Sequence, residues 1–152
     1  MKSENTLDAI FAMAIDREEA ANRFYAELAR RVKNQSVRET FEALAKEELS
    51  QRTLLQALQA DPQLGAKIKS GSDFHVAESE AAPDVRPDMP LRDAVAPAMK
   101  KEQQAVELYR GLARVATDAG TRELFENLMN MELGHKIKLE AVFVDIGYAE
   151  VF

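Results

Sequence analysis

The chain has 152 residues, of which 46% are hydrophobic, and it carries a formal charge of −6 without a single cysteine. A chain of this length can bury one continuous core, and the acidic charge without a basic run argues against nucleic acid or anionic membrane as a partner. The missing cysteines exclude disulfides, thiolate zinc sites and iron–sulfur clusters. We expect a cytoplasmic protein, because the sequence has neither a membrane span nor the pattern of a secretory signal.

The spacing of apolar residues predicts four helices, over residues of about 6–32, 37–59, 90–116 and 121–145. Ser36-x-x-Glu39 has the pattern of a capping box, Pro90 suits the first turn of the third helix, and Gly120 precedes the fourth. Pro97 falls inside the third helix, where we expect a kink. Short loops within each pair of helices make the paired helices antiparallel neighbours.

The helices form two copies of one hairpin, repeat A at residues 6–59 and repeat B at residues 90–145. An offset of 84 residues aligns 7–58 with 91–142 without a gap, and 18 of the 52 aligned pairs are identical. Residues 60–89 are a linker rich in turn signals, long enough to cross the bundle and start the third helix from the opposite end. We predict one all-α domain over 1–152, a ferritin-like four-helix bundle with a long crossover and a C-terminal tail at 146–152.

Each predicted helix carries an apolar seam that is interrupted by polar residues near its middle. The interrupting residues are Glu18, Glu48 with Gln51, Glu102, and Glu132 with His135. Antiparallel packing would place them in one buried layer, where uncompensated charge costs several kcal/mol per ion. A metal cation would compensate the whole layer, and the i, i+3 spacing of Glu132 and His135 lets both reach one metal. The alternative is a metal-free polar layer, protonated or filled with water.

At these residues the sequence resembles the rubrerythrin group of ferritin-like di-iron proteins. The first half carries Glu18-x-x-Ala21-x-x-Phe24-Tyr25 and Phe41-Glu42-x-Leu44-Ala45-x-Glu47-Glu48. The second half carries Glu102-x-x-Ala105-x-x-Leu108-Tyr109 and Phe125-Glu126-x-Leu128-x-x-x-Glu132-x-x-His135. The resemblance implies two irons bridged by Glu48 and Glu132, with Glu18 on one iron and Glu102 and His135 on the other. It also implies that Tyr25 and Tyr109 orient the ligands, although ordinary packing with a bonded hydroxyl explains them equally well.

Two positions depart from the family pattern. Gln51 stands where a second Glu-x-x-His would place histidine, so the iron nearest Glu18 loses its imidazole and Gln51 offers only a weak amide ligand or a hydrogen bond. Ala105 stands where typical rubrerythrins have an extra glutamate, so their peroxidase mechanism does not transfer directly. Because these 152 residues include no cysteine, we expect no rubredoxin-like domain and an external electron donor.

These observations favour a non-haem di-iron oxidoreductase that acts on peroxide, dioxygen or ferrous iron, with two irons per chain. The sequence leaves open a metal-binding module or scaffold with one metal, with manganese or zinc, or with a vestigial site. We expect His75 in the linker to have no metal role. An apolar set near the C-terminus predicts packing over the bundle end or in a homodimer: Phe143, Val144, Ile146, Tyr148, Val151 and Phe152.

Overall fold

The computed structural model describes residues 2–69 and 90–151, with side chains for residues 7–69 and 90–145. Four long helices make up most of it: α1 Lys2–Arg31, α2 Gln35–Ala60, α3 Leu91–Val115 and α4 Ala119–Val151. Within these ranges, a 3-10 turn follows α2 and the only β pairing is an isolated bridge. The prediction of an all-α, four-helix fold is confirmed. Across the part of the chain described, no helix is long and apolar enough to cross a bilayer.

The observed helices differ from the predicted ones mainly at their ends. α1 begins at Lys2 instead of residue 6, and α4 continues to Val151 instead of ending at residue 145. The backbone of the predicted tail is therefore helical as far as Val151. The side chains of residues 146–152 and the whole of His75 lie outside the described residues.

The predicted start signals of α2 and α4 were wrong in detail. The N-cap of α2 is Asn34, whose side chain accepts a hydrogen bond of 3.0 Å from the backbone N–H of Val37, so Ser36 already lies in the first turn. Asparagine is as good an N-cap as serine, and Asn34 leaves no role for a capping box with Glu39. Gly120 likewise lies in the first turn of α4 and does not precede it.

The third helix begins directly after a proline and runs through another. α3 starts at Leu91, so Pro90 is its N-cap and not a first-turn residue as predicted. Pro97 lies inside α3, which continues past it as one helix. Because Pro97 has no N–H, the carbonyl of Asp93 lacks its helical partner. Asp93 is exposed, so water can satisfy that carbonyl at little cost.

The core consists of two apolar clusters, which we call the first and second clusters. α1 passes from the first cluster, at Leu7–Ile15, to the second, at Phe24–Val32, and α4 runs in the same direction. α2 and α3 both run from the second cluster to the first. Each hairpin is therefore antiparallel, and the chain must cross the full bundle between α2 and α3. The predicted long crossover is confirmed.

The beginning of the crossover is fixed against the loop between α3 and α4. Leu64 and Ile68 join the first cluster, and the backbone N–H of Lys69 donates to the carbonyl of Val115 at 2.7 Å. The N–H of Thr117 donates to the carbonyl of Lys67, also at 2.7 Å. These bonds close the end of the bundle to which the first cluster belongs.

Candidate metal centre

A layer of polar side chains separates the two apolar clusters. Its members come from all four helices and none is more than 4% exposed: Glu18, Glu48, Gln51, Glu102, Glu132 and His135. Each stands where the seam of its helix passes from one cluster to the other, so apolar packing above and below holds it inside the bundle. The structure thus buries every residue for which the sequence predicted a metal role.

Four of these residues converge on one point. Ligand atoms of Glu48, Glu102, Glu132 and His135 all lie within 4.8 Å of one another. The imidazole Nδ1 of His135 is 2.9 Å from Oε1 of Glu48, 3.6 Å from Oε2 of Glu132 and 3.7 Å from Oε2 of Glu102. Three carboxylates and one imidazole form the donor set that suits iron, manganese or zinc.

Several of these atoms are buried without a hydrogen bond. They are Oε2 of Glu18, Oε1 of Glu48, Oε1 of Glu132, Nδ1 of His135 and both amide atoms of Gln51. Nδ1 of His135 and Oε1 of Glu48 are close, yet they lack the alignment of a hydrogen bond. A buried polar atom without a partner costs about 1–3 kcal/mol, and several at one place multiply that cost. A metal cation would satisfy the carboxylate and imidazole atoms together, so the residues present fit one.

Glu18 lies beside this group of four and does not belong to it. Its carboxylate accepts a hydrogen bond of 3.0 Å from the Tyr109 hydroxyl. Burial first, and then the charge of Glu102, raises the pKa of Glu18 to about 7. Its remaining oxygen has no partner, so Glu18 keeps one oxygen available for a second cation. The structure therefore places the five predicted ligands in one layer as four plus one.

Two buried tyrosines tie the hairpins together across the layer. The hydroxyl of Tyr25 on α1 donates to Oε1 of Glu102 on α3 at 2.7 Å. The hydroxyl of Tyr109 on α3 donates to Glu18 on α1. The two tyrosines are 84 residues apart and so are the two glutamates, so the two bonds are equivalent under the internal repeat. Burial, and then the nearby carboxylates, raises the pKa of both tyrosines well above the ordinary value. Both hydroxyls therefore keep their protons and remain donors.

Without a metal, the layer must hold protons. Burial, and then the charge of Glu102, raises the pKa of Glu132 well above its ordinary value. Burial acts to lower the pKa of His135, but Glu102 and Glu132 outweigh burial and raise it to about 10. For Glu102 burial acts to raise the pKa, but its interactions with the neighbouring Glu132 and His135, with the Tyr25 hydrogen bond, prevail and lower it. A cation that takes these ligands must displace protons from the layer.

A cavity of about 120 Å³ connects the layer to the gap between α1 and α3. The small side chains of Ala21 and Ala105 line it, together with the carboxyl groups of Glu18 and Glu102. Ala105 is the position at which the family pattern has an extra glutamate. The lining also includes Arg17, which is half-buried, and Lys101, which is exposed, so the cavity extends towards the surface.

The sequence did not single out Glu47, which contacts the candidate centre from its outer side. Nε2 of His135 lies 2.5 Å from Oε2 of Glu47 on α2. In the sequence, Glu47 stands out only as part of the motif that resembles the family. The signal that would have found it is the antiparallel register of α2 and α4, which brings residue 47 opposite residue 135.

Two solved structures share this fold. A protein from Thermotoga maritima, provisionally described as a ferritin-like diiron-carboxylate protein, is 22% identical, with a TM-score of 0.71 over 90% of this chain and 93% of its own. A hypothetical protein from Pyrococcus furiosus is 27% identical, with a TM-score of 0.70 over 90% of this chain and 87% of its own. No curated protein sequence matches this chain at a significant level. The rubrerythrin family model matches residues 9–143, which contain the whole polar layer, and the chain therefore belongs to the rubrerythrin family.

Proposed function

We propose that this protein is a non-haem di-iron oxidoreductase that reduces peroxide or dioxygen, with oxidation of ferrous iron as the related reaction. The observation that carries the proposal is the buried convergence of Glu48, Glu102, Glu132 and His135, with acceptor atoms that have no partner in the protein. Family membership supports iron as the metal. Two irons per chain, an external electron donor and a homodimer remain part of this proposal.

Bound iron would supply reversible one-electron oxidation, so that two irons would provide the two electrons that convert hydrogen peroxide and two protons into two waters. The chain's own residues hold the charge and the protons. Glu48, Glu102, Glu132 and His135 would hold the metal, and Tyr25 fixes Glu102 by its hydrogen bond. Glu18, whose pKa of about 7 lies near neutrality and whose side chain lines the cavity, can exchange a proton there.

The cavity between α1 and α3 suits a small oxidant as the species that enters. Its volume of about 120 Å³ has room for peroxide or dioxygen. Arg17 and Lys101 are in its lining, and no ion pair that neutralises either of them is found within the described ranges. The same lining holds the carboxyl groups of Glu18, Glu48, Glu102 and Glu132, so it presents both signs of charge. The size of the cavity therefore supports entry of a small oxidant, and the two cations would attract an anionic one.

The test is peroxide consumption by protein loaded anaerobically with ferrous iron, followed in a stopped-flow spectrometer. We expect the loaded protein to consume peroxide and to develop ferric absorbance on the same timescale, while metal-free protein does neither. Iron-loaded protein that reacts with peroxide no faster than free ferrous iron would contradict the proposal.

A second candidate, a carrier or sensor that binds one metal, is favoured by one residue. Gln51 stands where the other half of the layer has His135, so this half lacks an imidazole. Gln51 is 1% exposed, and neither of its amide atoms has a hydrogen bond. A neutral amide is a poorer metal ligand than imidazole. The two candidates differ in the number of metals bound per chain and in whether the metal turns over with oxidant.

A further inference from the structure

Glu47 is the outer partner of the buried histidine. Its carboxylate lies 2.5 Å from Nε2 of His135 and also accepts a bond of 3.3 Å from the Lys138 ammonium. Glu47 is 38% exposed, whereas His135 is only 1% exposed. The contact therefore links the metal-facing layer to the surface between α2 and α4.

The contact determines which nitrogen of His135 faces the carboxylate cluster as an acceptor. A carboxylate can only accept, so the proton of a neutral imidazole must sit on Nε2 and be donated to Glu47. The lone pair is then on Nδ1, the atom that lies among Glu48, Glu102 and Glu132. Only an unprotonated nitrogen can bind a metal, so Glu47 holds the ring in the form and orientation that ligation requires.

A surface ion pair alone does not explain the arrangement. Glu47 and Lys138 are 38% and 44% exposed, and ion pairs this exposed contribute little to stability. An ion pair with Lys138 would not require Glu47 to contact His135. Glu47 nevertheless lies against Nε2, the ring nitrogen that points away from the cluster.

The other half of the layer lacks both members of this pair. With the offset of 84 residues, His135 corresponds to Gln51 and Glu47 corresponds to Met131. The same offset relates the two tyrosine bonds, Tyr25 to Glu102 and Tyr109 to Glu18, so it holds for contacts across the layer. A methionine sulfur is a weak acceptor and cannot replace a carboxylate. The imidazole and its acceptor are thus present together in one half and absent together in the other.

From this asymmetry we propose that Glu47 is a positioning residue for His135, and that the Glu47–His135 pair makes this half of the layer the position that binds metal first and most tightly. The inference rests on the proposed metal centre and adds an order of loading to it. It requires no contact between Glu47 and the metal itself.

The test uses Co²⁺, because its visible spectrum reports ligand identity without redox chemistry. Glu47→Leu removes the acceptor, Glu47→Gln keeps an amide oxygen at the same place, and Glu126→Leu removes an exposed carboxylate elsewhere as a control. We expect Glu47→Leu to weaken the tighter Co²⁺ site by about 10–100-fold and to change its spectrum, as loss of a ligand's hydrogen-bond partner usually does. Glu47→Gln should recover most of the affinity, and Glu126→Leu should match wild type.

A gain of function tests the same idea without weakening the original site. Gln51→His adds an imidazole without an acceptor, whereas Gln51→His with Met131→Glu adds both. We expect the double variant to bind the second Co²⁺ about tenfold or more tighter than the single variant does. Equal affinities in the two variants would contradict the role of the acceptor.

The outcomes separate this inference from the proposed function. Wild-type protein that binds no Co²⁺ would overturn the metal centre and the inference together. Wild-type protein that binds Co²⁺, with Glu47→Leu equal to it in affinity and spectrum, would leave the metal centre standing and overturn only the role of Glu47. If Glu47→Leu fails to fold, the comparison of Glu47→Gln with wild type and the two Gln51 variants decide the question.

Discussion

Several residues of the polar layer have protonation states that differ from those of the same residues in water. Glu18, Glu132 and His135 all have a raised pKa, and each is held among carboxylates in the space between two apolar clusters. Folding without metal therefore binds protons that the unfolded chain does not bind near neutral pH. Metal binding must release those protons, so the metal-free and metal-bound proteins should respond to pH in opposite ways.

The metal-free protein should lose stability as the pH rises. The pKa of Glu18 is about 7 in the folded protein and 4.5 as its reference, so its contribution is complete below pH 4.5 and disappears as the pH rises through 7. Between about pH 5.5 and about pH 8 this lowers the free energy of unfolding by about 2 kcal/mol. His135, with its pKa raised to about 10, acts in the same direction.

Thermal unfolding of chelator-treated protein at the two pH values measures this effect. Glu18→Gln is the control, because it keeps the shape of the side chain and removes its titration. Iron-loaded protein should show the opposite trend, since protons compete with the metal for the same ligands. A metal-free protein whose stability is unchanged or higher at the upper pH would show that the layer is not protonated as described.

The residues of the layer were predictable because their signal is local. Glu18, Glu102 and Glu132 interrupt seams whose spacing is visible in the sequence. A residue in a seam, flanked by apolar seam residues, must face the interior of the bundle. The hydrogen-bond partner of each residue could not be predicted in the same way. That Tyr25 bonds to Glu102 of the other hairpin, and that Glu47 meets His135, depends on how helices distant in sequence face each other.

At the scale of the helices, the gap between α1 and α3 is the feature with a functional consequence. Small residues at Ala21 and Ala105 keep the two helices from filling the space in front of Glu18 and Glu102. The helices themselves and the crossover between α2 and α3 followed from apolar periodicity and turn signals. Their caps did not follow as directly, because Asn34 and Ser36 are both good caps and only the packed loop selects one of them.

Filling this gap should slow the reaction with oxidant without emptying the site. Ala105→Leu places a branched side chain in the cavity, while no predicted ligand is changed. We expect unchanged iron content and a peroxide reaction that is several times slower, measured by stopped-flow absorbance. Ala96→Leu, at an exposed position of the same helix, is the control. An unchanged rate in Ala105→Leu would mean that oxidant reaches the layer by another route.

For the whole molecule, the outer face of α4 carries apolar side chains that the described bundle does not cover. Ile137 is 64% exposed, Val144 is 52% exposed and Phe143 is 40% exposed. Ile137 and Val144 are seven residues apart and so lie on the same face of the helix. Exposed apolar residues grouped in this way are typical of an interface, which supports the proposed homodimer.

The proposed homodimer predicts a clear effect of one charge. Ile137→Glu should shift the protein from dimer to monomer in light scattering coupled to size-exclusion chromatography, because a carboxylate buried at an interface has no partner there. Thr53→Glu, on the exposed side of α2, should leave the dimer intact. A wild-type protein that is monomeric at micromolar concentrations would contradict the homodimer.

The number of irons bound per chain tests most directly whether the polar layer is a metal centre. We would reconstitute wild-type protein and Glu132→Ala anaerobically with ferrous iron, remove loosely bound metal, and determine iron by elemental analysis. We expect two irons per wild-type chain and their loss in Glu132→Ala, since Glu132 belongs to the convergent group. One iron per chain would favour the single-metal module. If wild-type protein held no more iron than Glu132→Ala, the polar layer would not be a metal centre.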